Sequence, residues 1–213
     1  MLAAKQDVVL VSRYCRVVNI GESALEDRLY DLLKNSTNPT VAPYAGGGET
    51  MLRVTAKAKT REEAYAMTIP GVQAIAYECG DDLYAVDQDC MEQVVVELLH
   101  ELGMKVCTCE SMTGGLIAGR ITNIPGASDV FECGLVTYSN RIKHKLAGVA
   151  VKTLDEHTAV SLETAAEMAQ GALALSGASV AVSITGVAGP DDTPECEVGT
   201  VFVGLAGPLG VRS

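Results

Sequence analysis

The sequence predicts an α/β protein built from two units. Along most of its 213 residues, segments with the apolar period of a strand alternate with segments that have the period of a helix. Hydrophobic residues make up 48% of the chain and charged residues 20%, which is enough apolar side chain for a buried core. The pattern changes near Val86-Asp87, so we expect one unit over residues 1–86 and another over 87–213.

The first unit combines strand and helix patterns in a small α/β arrangement. Its first expected elements are a strand at 8–18 and a helix capped at 21–23, with leucines at 25, 29, 32 and 33. A short strand at 38–44, a turn at 45–48 and a strand at 50–56 follow. The unit then continues with a helix from Thr60 through Met67 and ends with apolar segments at 74–77 and 83–86.

The second unit opens with an amphipathic helix that starts near Asp89 and stops at Gly103. Strands and helices then alternate, which indicates a layered α/β domain. We expect strands around 104–108, 130–137, 179–184 and 199–205 and helices near 114–123 and 161–176, the latter capped by Ser161.

The C-terminal end predicts a strand pair. A turn at 207–210 follows the apolar strand at 199–205 and implies a returning strand, but the sequence stops at Ser213. Nothing in the sequence would cover that sheet edge. We therefore expect the second unit to be truncated at this end, or the edge to be covered by another element.

Charge and composition narrow the possible partners. The formal charge is −11, with nine basic and eleven acidic residues in 1–86 and seven basic and sixteen acidic in 87–213. A groove that follows a nucleic-acid backbone needs a basic face, so we expect no nucleic acid partner, whereas a small anionic metabolite is compatible with this charge. With no signal-peptide pattern and no apolar run of about 20 residues, we expect a cytoplasmic protein without a membrane span.

The seven cysteines are scattered and odd in number, which indicates reduced thiols, several of them in the core. Cys107 and Cys109 form the only close pair. Without a second pair or a nearby histidine, one C-x-C is weak evidence for a metal, and we expect no cofactor.

The segment Glu110–Gly115 contains two hydroxyl residues and two glycines between a predicted strand and a predicted helix. Glycines let the main chain approach a ligand, and a helix N-terminus carries partial positive charge. This turn is expected to hold an anion, to present an exposed Ser111 as a nucleophile, or to do both. In the alternative interpretation, Ser111 and Thr113 only cap the helix.

Three further polar segments, 137–143, 184–190 and 193–200, lie next to predicted strands. Ligands bind at strand ends in open α/β sheets, so the loops that follow three of the strands are expected to converge on one crevice. Within them Lys143 is the candidate base for Ser111. Lowering a lysine pKa from about 10.4 to about 7 costs about 4.6 kcal/mol, which burial without a paired carboxylate can supply.

Two other groups complete this hypothesis. Tyr138 would relay or orient the proton, and the amides of Thr113, Gly114 and Gly115 would stabilise an oxyanion. Alternatively, Lys143 is simply solvated.

Other catalytic arrangements fit the sequence less well. There is no G-x-S-x-G motif, and of the three histidines only His157, two residues after Asp155, offers a triad-like pair. Asp191 and Asp192 could bind a metal but are more often solvated in such a loop. Arg120 is either a surface side chain or a phosphate contact.

The second unit resembles the C-terminal domain of the CinA family. The strings that carry the resemblance occur in the family's order over nearly all of 87–213: ESMTGG, GLVTYSNRIKHKLAGV, HTAVSLETA, ITGVAGP and TPECEVGTVFVGL. Residues 15–86, with GESALEDRL and NPTVAPYA, resemble the KH-like middle domain of the long family members. Their N-terminal domain, which is similar to molybdopterin-binding folds, has no counterpart here.

The resemblance implies a small KH-like α+β domain followed by a three-layer α/β/α domain with a mixed sheet. It also implies a metal-free Ser–Lys amidohydrolase that converts nicotinamide mononucleotide to nicotinate mononucleotide and ammonia, a step of pyridine nucleotide salvage. Ser111 would be the nucleophile, Lys143 the base and Tyr138 an assisting group. The residues that would bind the nucleotide are Thr113, Gly114, Gly115, Asn140, Thr185, Gly186 and Gly189.

Three positions depart from the family pattern: Met112 replaces the usual cysteine, the loop with Asp191-Asp192 is shorter and more acidic, and Cys196 replaces a lysine. The alternative function is therefore a nucleotide-binding or regulatory module without catalysis. RNA binding by the first unit is disfavoured by its charge and by the lack of a basic G-x-x-G loop. We expect the protein to form a homodimer, because an exposed strand edge favours association.

Overall fold

The computed structural model describes residues 8–213 and divides into two compact units, Met1–Met91 and Glu92–Ser213. The predicted boundary lay a few residues earlier, at Val86-Asp87. Among the described residues, no helix is long and apolar enough to cross a membrane.

The first unit is a four-stranded antiparallel sheet in the order β2-β3-β1-β4, with its helices on one face. Its strands are β1 (Val9–Val17), β2 (Thr40–Gly46), β3 (Glu49–Ala58) and β4 (Leu83–Val86). Its helices are α1 (Glu22–Arg28), α2 (Tyr30–Asn35) and α3 (Arg61–Cys79).

Side-chain alternation decides which face of this sheet is buried. Along β3, Leu52, Val54 and Ala56 are fully buried, while the residues between them point to the other face. Ile75 and Cys79 of α3 join the core that these strands form. The unit therefore has one face covered by helices and one face without them.

Helix α3 is longer than predicted. Thr60 caps it as expected, because its hydroxyl accepts a hydrogen bond from the Glu63 amide at 3.1 Å. The helix continues through Pro70, so the apolar segment at 74–77 is not a separate element. The short apolar run was ambiguous in sequence, and the burial of Ile75 and Cys79, four residues apart, favours the helix.

The second unit contains a five-stranded mixed sheet in the order β6-β5-β7-β8-β9. The first three strands are parallel, and the last two pair antiparallel. Its strands are β5 (Val106–Glu110), β6 (Phe131–Val136), β7 (Val180–Gly186), β8 (Val201–Gly207) and β9 (Gly210–Arg212). Its helices are α4 (Met91–Glu101), α5 (Leu116–Thr122), α6 (Asn140–Ala147), α7 (Val151–His157) and α8 (Leu162–Ser176).

Helices cover both faces of this sheet. Met168 and Ala172 of α8 pack against Cys107 and Cys109 of β5 on one face. On the other face, α4 and α5 pack against Val106 of the same strand. The predicted three-layer α/β/α architecture with a mixed sheet is confirmed, and so is a short returning strand, β9, after the C-terminal turn.

Helices α6 and α7 were not predicted. Helix α6 begins after Ser139, whose hydroxyl accepts a hydrogen bond from the Ile142 amide at 3.3 Å, and it ends at Gly148, which has a φ of 67°. A serine N-cap and a glycine C-cap are the usual boundaries of a short helix. The segment after β6 is therefore a helix and not a polar loop, and this places Lys143 on a helix.

Candidate active site

The loops that follow β5, β6 and β7 line one cavity of about 310 Å³ in the second unit. The convergence that the sequence predicted at the carboxyl ends of these strands is confirmed. The residues around the cavity are Ser111, Met112, Tyr138, Lys143, Ala159, Val160, Thr185, Gly186, Val187, Ala188, Gly189, Asp191 and Thr193.

Ser111 and Lys143 are in direct contact in this cavity. The Lys143 Nζ lies 2.8 Å from the Ser111 Oγ, although the residues are 32 positions apart in sequence. Both are largely buried, Lys143 at 1% exposure and Ser111 at 7%. The interpretation of Lys143 as a solvated side chain is therefore wrong, and Ser111 is less exposed than predicted.

The environment of Lys143 favours the neutral amine. Burial removes the ammonium from water and lowers the pKa of Lys143, while the interaction with the nearby Cys109 opposes this shift. Among residues 8–213, no carboxylate lies within ion-pair distance of Nζ. Its other partners are main-chain carbonyls, Thr137 at 2.9 Å and Tyr138 at 3.5 Å.

The turn after β5 is fixed at both ends by main-chain hydrogen bonds. The Ser111 amide donates to the Ile184 carbonyl of β7 at 3.0 Å, which extends the sheet pairing into the turn. The Gly114 amide donates to the Ser111 carbonyl at 3.1 Å. Ser111 is thus placed by the sheet itself, at the junction of its two central parallel strands.

The carboxylate of Glu110, the residue before Ser111, lies at the N-terminus of α5. This residue is 1% exposed, and its carboxylate accepts hydrogen bonds from the amides of Gly115 at 3.0 Å, Ile117 at 3.1 Å and Ala118 at 2.8 Å. Burial by itself would raise the pKa of Glu110, but hydrogen bonds, that from Ala118 foremost, hold it below its ordinary value.

This role of Glu110 was not predicted, although a glutamate directly before a glycine-rich helix start was a visible signal.

The amides of Gly114 and Gly115 are both engaged within the turn. The prediction that these two amides stabilise an oxyanion is therefore not met, because an internal carbonyl and an internal carboxylate already accept their hydrogen bonds. A direct contact of Thr113, Gly114 or Gly115 with a substrate stays a prediction, and none of the three lines the cavity.

Tyr138 lies at the rim of the cavity with 74% of its surface exposed. Its carbonyl contacts Lys143, but its phenol makes no hydrogen bond with any described residue. Asn140, on the first turn of α6, is exposed and does not line the cavity. The catalytic assistance of Tyr138 and the substrate contact of Asn140 stay predictions.

Thr185, Gly186 and Gly189 line the cavity, as the hypothesis of a nucleotide site required. The Thr185 hydroxyl donates to the Ala159 carbonyl at 2.7 Å and so ties β7 to the loop before α8. A Cβ on Gly186 would lie 2.5 Å from the Thr200 carbonyl oxygen, so only glycine fits there. The cavity wall formed by Ala159 and Val160 carried no polar signal and was not predicted.

The side chains of two alternative sites, His157 and Arg120, do not line the cavity. His157 lies 3.5 Å from Glu163, and not beside Asp155, so the triad-like pair is not formed. Arg120 forms an ion pair with Glu92 and is 69% exposed, which supports its interpretation as a surface side chain.

The two loop aspartates and the cysteines were the other candidates for metal ligands. Asp191 lines the cavity, whereas the Asp192 carboxylate accepts a hydrogen bond from the Val198 amide at 2.7 Å. The seven cysteines are free thiols, and Cys107 and Cys109 are buried in β5. Within the described part of the chain, no cluster of three His, Cys, Asp or Glu side chains could hold a metal ion.

Known families match both units. The model of the CinA C-terminal domain matches residues 88–213, and the model of the damage-inducible protein CinA KH domain matches residues 12–85. A CinA-like protein of Kosmotoga olearia is 43% identical over 201 residues, which are 94% of this chain and 49% of that protein. The chain thus spans about half the length of this relative.

Solved structures agree with the sequence matches. The crystal structure of the competence/damage inducible protein CihA from Agrobacterium tumefaciens is 43% identical and has a TM-score of 0.55 over 57% of this chain and 74% of that chain. A CinA superfamily protein from Escherichia coli is 29% identical, with a TM-score of 0.56 over 57% of this chain and 71% of that chain. The chain belongs to the CinA family, with a CinA KH domain followed by a CinA C-terminal domain.

Proposed function

We propose that the second unit is an amidohydrolase that converts nicotinamide mononucleotide to nicotinate mononucleotide and ammonia. The observation that carries the reaction class is the 2.8 Å contact between the Ser111 hydroxyl and a lysine nitrogen that is buried without a carboxylate partner. The choice of substrate comes from the resemblance to the CinA C-terminal domain. A cavity of about 310 Å³ is at the lower end of the range for small-molecule sites.

The three partners of Lys143 determine which way its protons point. Two of them, the carbonyls of Thr137 and Tyr138, are acceptors only. A neutral amine has two N–H groups and one lone pair, so its hydrogens satisfy the carbonyls and its lone pair faces the Ser111 hydroxyl. The neutral form can therefore accept the serine proton without any side-chain movement, which is what a general base requires.

The reaction then runs through a covalent intermediate. Lys143 takes the hydroxyl proton as the Ser111 oxygen attacks the amide carbon, and the Lys143 ammonium returns that proton to the nitrogen as the C–N bond breaks and ammonia leaves. Water next attacks the acyl-serine, and Lys143 accepts one water proton and passes it to the serine oxygen as the ester C–O bond breaks. The carboxylic acid that is released ionises to the carboxylate, and its proton converts ammonia to ammonium. Lysine serves as base and acid in both halves.

Two main-chain amides suit the oxyanion of this reaction. The N–H groups of Met112 and Thr113 directly follow the nucleophile and donate to no acceptor among the described residues. Amides adjacent to a nucleophilic serine are common oxyanion donors, each worth about 10²–10³ in rate. The unpaired donors of the turn are therefore Met112 and Thr113, and not the glycines.

Ammonia release from nicotinamide mononucleotide tests the proposal. We expect Ser111→Ala and Lys143→Met to lower kcat by several orders of magnitude, because each removes one half of the dyad. Exposed residues provide matched controls: Lys145→Met on the same helix and Ser128→Ala should retain wild-type turnover. Wild-type turnover in either dyad variant would reject the mechanism.

A second candidate function is a nucleotide-binding module without catalysis. The specific observation in its favour is that Asp191 lines the cavity, where its carboxylate would repel a substrate phosphate. Saturable binding of nicotinamide mononucleotide by the wild-type chain with no ammonia released would establish this alternative. Ammonia release that depends on Ser111 would exclude it.

A further inference from the structure

Charge is distributed unevenly around the cavity that holds the Ser111–Lys143 dyad. Within the described residues, the charged side chains that line the cavity are those of Lys143 and Asp191. The Lys143 nitrogen is already in contact with the Ser111 hydroxyl and with two main-chain carbonyls, and as the proposed base it is neutral when it acts. The part of the wall that the structure describes therefore carries the negative charge of Asp191 and no cation that is available to a phosphate.

The loop between β7 and β8, residues 187–200, adds to this negative charge. It contains no basic residue and four exposed acidic residues, Asp191, Asp192, Glu195 and Glu197. None of the four lies within ion-pair distance of a cation in residues 8–213. We call this segment the acidic loop. The dyad in the cavity determines where a substrate binds, and the acidic loop determines which substrate charge is favoured there.

The cations of the second unit do not offset the charge of the acidic loop. Three of them are paired with glutamates: Lys105 with Glu132, Arg120 with Glu92, and Lys152 with Glu156. Arg141, two residues before Lys143, is exposed and does not line the cavity. Residues 87–213 together contain sixteen acidic and seven basic side chains, so the long-range field of this unit also attracts cations and repels anions.

We propose that the same site hydrolyses the nucleoside nicotinamide riboside, and that it does so with a higher kcat/KM than the mononucleotide. The nucleoside keeps the amide and the positively charged pyridinium ring but lacks the phosphate, which carries about two negative charges. Negative charge at the cavity attracts the nucleoside and repels the mononucleotide. The amide and one water become the carboxylate and ammonium, as in the proposed amidohydrolase function, on which this inference rests.

Ammonia release from the two substrates at several ionic strengths tests the proposal. At about pH 8 the phosphate is fully ionised, because its second pKa is near 6. At an ionic strength of about 0.02 M we expect kcat/KM for the nucleoside to exceed that for the mononucleotide about fivefold. Salt up to about 0.5 M screens both interactions, so kcat/KM should fall for the cationic nucleoside and rise for the anionic mononucleotide.

Charge-neutralising variants locate the source of this preference. Asp191→Asn should lower the ratio of the two kcat/KM values at least about threefold at low ionic strength, because it removes the charge on the cavity wall. Asp155→Asn on α7 removes the same charge away from the cavity and should leave the ratio within about 1.5-fold of wild type. A ratio of two substrates cancels any loss of folded protein, so an unstable variant remains informative.

Three results would overturn the proposal and leave the amidohydrolase in place. The first is a higher kcat/KM for the mononucleotide at low ionic strength. The second is a salt dependence of the same sign for both substrates. The third is a preference for the mononucleotide that disappears in Arg141→Met, because the phosphate would then have a cationic partner. Failure of the amidohydrolase itself is distinguishable, since neither substrate would release ammonia or Ser111→Ala would release it as fast as wild type.

Discussion

Gly171 of α8 lies against the last residue of α6, and a Cβ on it would fall 1.6 Å from the Ala147 carbonyl oxygen. No heavy atom can approach another so closely without a bond. Since Lys143 lies one turn before Ala147 on the same helix, a change in the spacing of α6 and α8 at this contact would also displace Lys143.

Gly171→Ala should therefore impair both stability and activity. The added methyl meets main chain, so the two helices must separate, at a cost of about 1–3 kcal/mol in the free energy of unfolding or more. Displacement of Lys143 by about 1 Å should lower kcat on the order of 100-fold. Urea unfolding and ammonia release measure the two effects.

Gly119→Ala is the matched control, because a Cβ added to this helical glycine would meet no atom within 4 Å. Replacement of an unobstructed helical glycine by alanine should be neutral or stabilise by up to about 1 kcal/mol. Equal behaviour of the two variants would contradict the packing argument.

The pH dependence of activity should follow the protonation of Lys143. Burial lowers the pKa of Lys143, and only the neutral amine accepts the serine proton. We therefore expect kcat/KM to rise with pH through a midpoint below the ordinary lysine value of 10.5 and to level off above that midpoint. A profile of ammonia release between about pH 5.5 and 10 measures the midpoint. A flat profile over this range, or one that falls with pH, would contradict the role of Lys143 as base.

The lowered pKa of Lys143 also makes the free energy of unfolding depend on pH. The folded chain binds fewer protons than the unfolded chain between the lowered pKa of Lys143 and 10.5, so the contribution of this residue to stability increases with pH over that window. Lys143→Met removes the titrating group and should remove this part of the slope. Urea unfolding of the wild type and of Lys143→Met at several pH values compares the slopes.

The sequence predicted the dyad through a general rule about strand ends together with the resemblance to a family. Loops after parallel strands meet at one sheet edge, so Ser111 after β5 and the segment after β6 were expected to converge. The sequence could not indicate that Lys143 is buried, because exposure depends on how α6 packs against α8. That packing rests on Gly171, which in sequence is an ordinary helical glycine.

Glu110 was missed for a related reason. The glutamate before a glycine-rich helix start is visible in the sequence, but its three amide partners come within reach of the carboxylate only once the chain turns after β5 and α5 begins. The apolar segment at 74–77 was ambiguous because a short apolar run fits a strand or a buried helix equally well. In both places tertiary contacts, and not local pattern, decide the structure.

Glu110→Gln should destabilise the second unit in a pH-dependent way. Neutral glutamine loses charge-assisted hydrogen bonds, each worth about 1.5–3 kcal/mol when the acceptor is charged, although the remaining carbonyl still accepts. Since the pKa of Glu110 is held below its ordinary value, its carboxylate stabilises the fold above about pH 4.5 and loses this effect as pH falls through the lowered pKa.

Urea unfolding of wild type and Glu110→Gln should accordingly show a difference that is full at pH 7 and shrinks in acid. Glu132→Gln is the control, because this carboxylate pairs with Lys105 at the surface, where an ion pair contributes at most about 1 kcal/mol. A difference between wild type and Glu110→Gln that stays constant from pH 7 to pH 3 would show that the charge of Glu110 is not what holds the turn.

Asp191→Asn should lower the KM for nicotinamide mononucleotide and leave kcat nearly unchanged. Asp191 is an exposed carboxylate on the wall of the cavity, and a bound phosphate would lie within a Debye length of it. Repulsion between two solvent-exposed charges at this range is on the order of 1 kcal/mol, which corresponds to about a two- to fivefold change in KM at low salt and less at 0.5 M salt.

Asp155→Asn on α7, away from the cavity lining, controls for net charge and should leave KM unchanged. A KM that rises in Asp191→Asn would instead assign this carboxylate an attractive role, as a partner of the positively charged pyridinium ring.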